Sequence, residues 1–221
     1  MILPLSPIEI RILGSLIEKE LTTPEYYPLT LNALTNACNQ KNNRDPIVSF
    51  DEATVVRGID SLLERHLVIT VTGAGMRVPK YKHNFAATMN ISPEEVILLS
   101  LLLLRGAQTV GELRTRAHAM HEFASLTEVE TILTQLSNRS DDPLVVKIQR
   151  QPGQKEARFT HLLSGTPTIE QDQQVLRNEP ARLQVISENE RITKLETSFV
   201  AMKKELDEFK SQFTQFKKQF E

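Results

Sequence analysis

The chain has 221 residues, of which 40% are hydrophobic, and a formal net charge of −2 from 26 basic and 28 acidic side chains. That length and apolar content allow two small cores of ordinary domain size with a remainder left over, and the near-zero charge balance argues against a strongly basic nucleic-acid binder. A single cysteine, Cys38, excludes an internal disulfide framework. The start Met1-Ile-Leu-Pro lacks the basic flank and long apolar stretch of a secretion signal, so a cytoplasmic protein is expected.

Ser6 followed by Pro7 predicts an N-cap and a first helical position, and Ile8, Ile12, Leu13, Leu16 and Ile17 mark the core face of the helix they open. Tyr26-Tyr27-Pro28 ends that segment. In 29–38, Leu31, Leu34 and Cys38 recur at steps of three and four, which predicts a second helix with Cys38 buried. A polar connection, 39–48, follows. Ser49-Phe-Asp-Glu52 reads as a capping box for a third helix carrying Val55, Val56, Ile59, Leu62 and Leu63. The period then changes from about 3.6 to 2. Leu67, Ile69 and Val71 alternate with Val68, Thr70 and Thr72, Gly73-Ala-Gly75 makes a turn, and 77–82 return as a strand whose Pro79 requires an edge. Three helices and a two-stranded hairpin describe a winged helix-turn-helix.

The same order recurs. Ile91-Ser-Pro-Glu-Glu-Val96 echoes Leu5-Ser-Pro-Ile-Glu-Ile10, and Thr109-Val-Gly-Glu-Leu113 echoes Thr30-Leu-Asn-Ala-Leu34. Residues 126–136 correspond to the third helix of the first copy. Leu144, Val146 and Ile148 alternate as a strand before a turn at Pro152-Gly153. The apolar run 96–104, interrupted by Ser100, is far short of the roughly 20 residues a bilayer requires and is expected to be a buried helix, so no membrane partner is expected. The predicted fold class is mainly α with small β-wings (α+β). Domain 1 spans 1–85 and domain 2 spans 86–165, with 84–90 as the join. A polar linker occupies 166–182 and a coiled-coil-like helix 183–221.

In that last segment Ile192, Leu195, Phe199, Met202, Leu206, Phe209, Phe213, Phe216 and Phe220 alternate steps of three and four, the a/d pattern of a helical seam. A homo-oligomer through this helix is the expectation, with a helix folded back on its own chain as the alternative. Aromatic side chains at so many seam positions leave strand number and direction open.

Residues 29–48, with Ala37-Cys38-Asn39-Gln40-Lys41-Asn42-Asn43-Arg44-Asp45-Pro46 at their centre, resemble the signature of the YceH-like bacterial proteins, a family with tandem winged-helix domains and no established activity. The resemblance covers roughly 5–165, and Asn42 stands where Ser is commoner. It implies an architecture and brings neither a catalytic residue nor a ligand.

Reaction chemistry is not visible. Gly73-Ala-Gly75 opens no helix and is not a phosphate loop. His118, His121 and Glu122 lack the further ligands of a structural zinc site. No enzyme activity, metal or cofactor is expected. Two partner classes remain open. One is double-stranded DNA, contacted by wing cations Arg77, Lys80, Lys82, Arg150, Lys155 and Arg158, by Arg57, and by loop residues Asn39, Gln40, Lys41, Asn43 and Arg44. The other is a protein partner on winged-helix domains that do not bind DNA. The outward sides of the third helices, Asp51, Glu52, Thr54, Arg57 and Asp60 in the first copy and Glu128, Glu130, Thr131, Thr134 and Gln135 in the second, carry carboxylates that disfavour phosphate.

Overall fold

The computed structural model describes residues 4–73, 77–140, 142–150 and 156–166, which belong to one compact unit ending at Thr166. The linker and the seam from Ile192 to Phe220 lie outside the described residues, as do Lys155, most of the Gly73-Ala-Gly75 turn and the Pro152-Gly153 turn. The fold is α+β. Its helices are α1 (Pro7–Thr22), α2 (Leu31–Cys38), α3 (Glu52–Glu64), α4 (Phe85–Met89), α5 (Pro93–Arg105), α6 (Val110–Ala117) and α7 (Leu126–Ser137). A 3-10 turn covers Pro24–Tyr26. The strands are β1 (Leu29–Thr30), β2 (Val68–Val71), β3 (Lys80–His83), β4 (Val145–Ile148) and β5 (Arg158–His161).

Helix starts follow the local chemistry. At α1 the Glu9 carboxylate accepts from the Ser6 amide at 2.7 Å and from its hydroxyl at 2.5 Å. At α5 Ser92 and Glu95 exchange the two bonds of a capping box, and at α6 Thr109 and Glu112 do the same. Each pair satisfies amides that the first helical turn leaves without partners. The start of α3 corrects the sequence reading: its N-cap is Asp51, which accepts from the Thr54 amide at 2.8 Å. Ser49 is unavailable for that role because Asn39 clamps the adjacent Phe50, donating to its carbonyl and accepting from its amide, both at 2.8 Å.

The order of three helices followed by an antiparallel hairpin occurs twice. The match extends to a detail that apolar spacing did not show. Leu29–Thr30, expected in the second helix, is instead a short strand paired with β3, so the first sheet has the order β1-β3-β2. Gln108, which likewise precedes a threonine N-cap, bridges to Phe159 of β5 through backbone bonds of 3.0 and 2.8 Å. Pro79 falls one residue before β3 rather than inside it, which is why β3 can occupy the centre of its sheet with its amides intact. The strand alternation is also displaced. Leu67 still belongs to the helix exit, its amide donating to Leu62, so Leu67 and Val68 are both buried and Ile69 faces outward. Leu144 and Val145 repeat that pattern, with Val146 only half-buried.

One core runs through both copies. Every residue of α1 from Glu9 to Glu18 is buried, and the most extensive helix packing is α1 against α5. Two glycines permit the close approach. A Cβ on Gly14 would lie 2.9 Å from the Leu104 side chain, and one on Gly58 of α3 would lie 2.6 Å from Ile12. The join between the copies is itself structured, with Phe85 and Met89 of α4 turned into the core. Among the described residues no helix is long and apolar enough to cross a membrane.

Cys38 is fully buried at the end of α2, and burial pushes its thiol pKa up to about 11. Since the thiolate is the reactive form, native protein is expected to react with a soluble disulfide reagent no faster than it opens, and fully in denaturant. Complete native labelling within seconds, followed by absorbance, would contradict this.

Candidate nucleic-acid interface

The loop 39–48 leaves the C-terminus of α2, where the last carbonyls of a helix need donors. Two arginines supply them. Arg44 donates through Nε and one terminal nitrogen to the Ala37 carbonyl at 3.3 and 3.0 Å, and Arg11 of α1 donates to Cys38 at 3.3 Å and to Pro46 at 2.5 Å. The Arg44 guanidinium also makes a two-pronged pair with the Glu18 carboxylate, at 2.6 and 2.9 Å, and donates to Gln40 Oε1 at 3.2 Å. Its side chain has no exposed surface. Arg44, read from sequence as a partner contact, is thus placed in the interior, where two cations also complement the negative end of α2.

The loop is tied to the second copy as well. The Asp45 amide donates to the Leu104 carbonyl at 2.9 Å, and Arg105 donates to the Asn43 side chain. Asn39 is committed to Phe50, and Gln40 is half-buried beneath Arg44. Of the loop residues proposed for contact, Lys41 and Asn43 remain exposed, Asn43 with its amide oxygen engaged by Arg105. Ile47, 63% exposed, lies beside them in sequence.

The hairpins divide differently. On β3, Lys80 and Lys82 share one face, with Lys82 opposite Ile69, and Arg77 precedes them in the open. Among the described residues no carboxylate pairs with these three cations. In the second hairpin Arg150 is exposed, whereas Arg158 turns inward, donating to the Ala107 carbonyl at 2.8 Å and to Glu112 at 3.2 Å.

The two third helices present unlike faces. Outward on α3 stand Asp51, Glu52, Asp60 and Glu64 with one cation, Arg57, which donates to Thr54. Outward on α7, Thr127, Glu130, Thr131, Thr134, Gln135 and Asn138 line a shallow open depression of about 600 Å³. Glu128, expected to face outward, is half-buried and accepts from the Ala124 amide at 2.7 Å. Glu130 pairs with Lys147 of β4 at 3.2 Å, and the same ammonium sits 5.4 Å above the Phe159 ring.

Sequence pattern did not reveal a hydrogen-bonded cluster under the first sheet. His83 Nε2 lies 2.5 Å from Glu20, its Nδ1 accepts from the Phe85 amide at 3.3 Å, and its own amide donates to the Tyr27 hydroxyl at 2.7 Å. Burial lowers the His83 pKa against the opposing pull of Glu20, and burial raises that of Tyr27. With Nδ1 an acceptor, the neutral ring donating from Nε2 to Glu20 is the tautomer that fits. His121 packs edge-on against Phe123 at 4.6 Å, and His118 is exposed. Among the described residues no three His, Cys, Asp or Glu side chains are grouped to hold a metal ion.

A family model described as a protein of unknown function, DUF480, matches residues 5–154. The chain is 50% identical to a UPF0502 protein of Geobacter sulfurreducens over 216 residues, covering 95% of this chain and 98% of that protein. It is 51% identical to a UPF0502 protein of Geotalea uraniireducens over the same coverage, and 53% identical to one from Opitutus terrae across 75% of this chain and 72% of the relative.

Truncating Arg44 leaves the Glu18 carboxylate unpaired in the interior and the Ala37 carbonyl at the end of α2 without its two guanidinium donors. Arg44→Ala is expected to lower the free energy of unfolding by about 3–5 kcal/mol, the range for breaking a buried pair. Lys41→Ala in the same loop is expected to change it by less than about 0.5 kcal/mol. Urea unfolding of both variants measures this, and equal losses would show that Arg44 is not the anchor.

Proposed function

The chain belongs to the DUF480 family, and from that premise we propose that it is a non-enzymatic DNA-binding protein built from two winged-helix units, its wings contacting the phosphates of duplex DNA. The observation that carries this reading is the first hairpin: Lys82 projects from β3 beside a three-helix unit, with half-buried Lys80 on the same face and exposed Arg77 just before the strand, and none of the three has a carboxylate partner among the described residues. Ammonium and guanidinium groups so placed suit phosphate contacts, which supply affinity and register and little base reading. Lys41 and Arg150 are further exposed cations in the same role. Arg44 and Arg158 have internal duties and are left out of it.

A second reading is favoured by the outer face of α3, where four exposed carboxylates accompany one arginine. Such a face repels phosphate and suits a basic protein partner, making the chain an interaction scaffold.

Titration of labelled duplex with full-length protein at low salt separates the two readings. Binding is expected, with log affinity falling by about 0.9 per phosphate contact against log salt, and Lys82→Ala is expected to reduce that slope by about one. No binding by folded protein leaves the scaffold reading in place.

We propose further that the protein assembles through residues 183–221, supported by the apolar 3.5-residue repeat from Ile192 to Phe220. Light scattering is expected to report an oligomer for the full chain and a monomer after deletion of 183–221. A monomeric full chain would overturn this.

A further inference from the structure

We infer that the two copies are not equivalent toward DNA, and that α7, not α3, presents the base-reading face to the major groove. The inference rests on the DNA-binding reading above and names the surface responsible for sequence preference within it.

A helix entering the major groove passes between two rows of phosphates, so uncompensated carboxylates on its outer side oppose entry, while uncharged amides and hydroxyls permit it and can pair with base edges. On α3 the carboxylates of Glu52, Asp60 and Glu64 are exposed and none is in an ion pair among the described residues, while Asp51, also exposed, accepts from the Thr54 amide at 2.8 Å. On α7 the one exposed carboxylate, Glu130, is matched by Lys147 at 3.2 Å, and half-buried Glu128 is drawn aside to the Ala124 amide.

What remains on α7 is a hydrogen-bonding stripe. The Thr131 and Thr134 hydroxyls donate to the backbone carbonyls of Thr127 and Glu130 at 2.8 and 2.7 Å. Their protons are thereby committed, while their oxygens still have lone pairs to accept with. The side-chain amides of Gln135 and Asn138 have no protein partner among the described residues and line the open depression. A carboxamide offers one donor and one acceptor side by side, the arrangement that matches N7 and N6 of adenine, and a threonine methyl matches the thymine methyl.

Cations stand at both ends of this stripe. Arg114 of α6 is held at the N-terminal end through the carbonyls of Phe123 and Ala124, at 3.1 and 3.2 Å. Arg139, just past the C-terminal end, donates to Met89 at 2.7 Å. Hydrogen bonds to neutral carbonyls leave both guanidinium charges intact, so a neutral reading face is bracketed by positive charge. On α3 the outer face is acidic, and the arginine at its C-terminal end, Arg65, is paired with Glu9 of α1 at 3.4 Å.

The test is selection of duplexes from a random pool by full-length protein, followed by affinity measurements on the selected and a scrambled duplex. Wild type is expected to enrich a short motif containing A·T pairs. Gln135→Ala and Thr131→Ala are each expected to reduce discrimination between the two duplexes by roughly tenfold, within the range for losing one base contact. Affinity for the scrambled duplex, the salt slope and the thermal melting curve should stay at wild-type values. Asp60→Ala on α3 is expected to retain the motif. Enrichment of the same motif by both α7 variants, or of none by wild type, would overturn the assignment of α7 while leaving phosphate binding through the wings intact. Failure of wild type to bind any duplex at low salt would overturn the DNA-binding reading itself, and this inference with it.

Discussion

The burial of α1 is the constraint on which the described structure depends. A helix enclosed on all sides is ordinarily apolar all round, yet this one carries Glu9, Arg11, Ser15 and Glu18 within its buried length. Ionised groups removed from water cost several kcal/mol each unless opposite charge and hydrogen bonds replace the lost solvation. The chain brings partners from outside α1: Arg44 for Glu18, Ser61 and Arg65 for Glu9, and the carbonyls of Cys38 and Pro46 for Arg11. These partners lie on α3, at its exit, at the end of α2 and in the loop 39–48. Placing α1 correctly therefore fixes everything packed around it in the first copy, and Gly14 against Leu103 and Leu104 carries the placement to the second.

This explains what was legible in the sequence and what was not. Helix starts at Ser6 and Ser92 depend on side chains within three residues of the cap, so they can be read locally. The repeat could be read because both copies use the same local signals in the same order. Arg44 could not be read. An arginine among Asn, Gln, Lys and Asp looks like part of a solvated loop, and only its carboxylate partner twenty-six positions earlier draws it inward. The internal carboxylates of α1 were the available signal, since charges inside an apolar stripe require partners from elsewhere. The α3 cap failed for a related reason: Ser49 has suitable chemistry, but the Asn39 clamp on Phe50 removes it from the helix start. Strand register slipped because Leu67 is both the first apolar residue after α3 and the last one bonded back to it.

The family signature acquires a physical meaning from the same geometry. Of the stretch from Ala37 to Pro46, the carbonyls of Ala37, Cys38 and Pro46 and the side chains of Asn39, Gln40 and Arg44 are spent on internal hydrogen bonds. Such residues hold a loop in one shape. The exposed remainder, Lys41 and its neighbours, is presented by that shape, so the motif is chiefly a device for closing α2 onto α1 and α5.

Rigid joining changes how two winged units would act together. Modules on a flexible tether gain from each other through an effective concentration set by linker length, and each contact retains much of its own ordering cost. Here α1 packs on α5, the Asp45 amide bonds the end of α5, and α4 fills the join with Phe85 and Met89 in the core. The separation of the first hairpin from α7 is consequently a property of the core and not of a linker. On the DNA-binding reading proposed above, a duplex that met both surfaces at that separation would be bound with little further ordering, and one that had to bend to reach both would bear the bending cost.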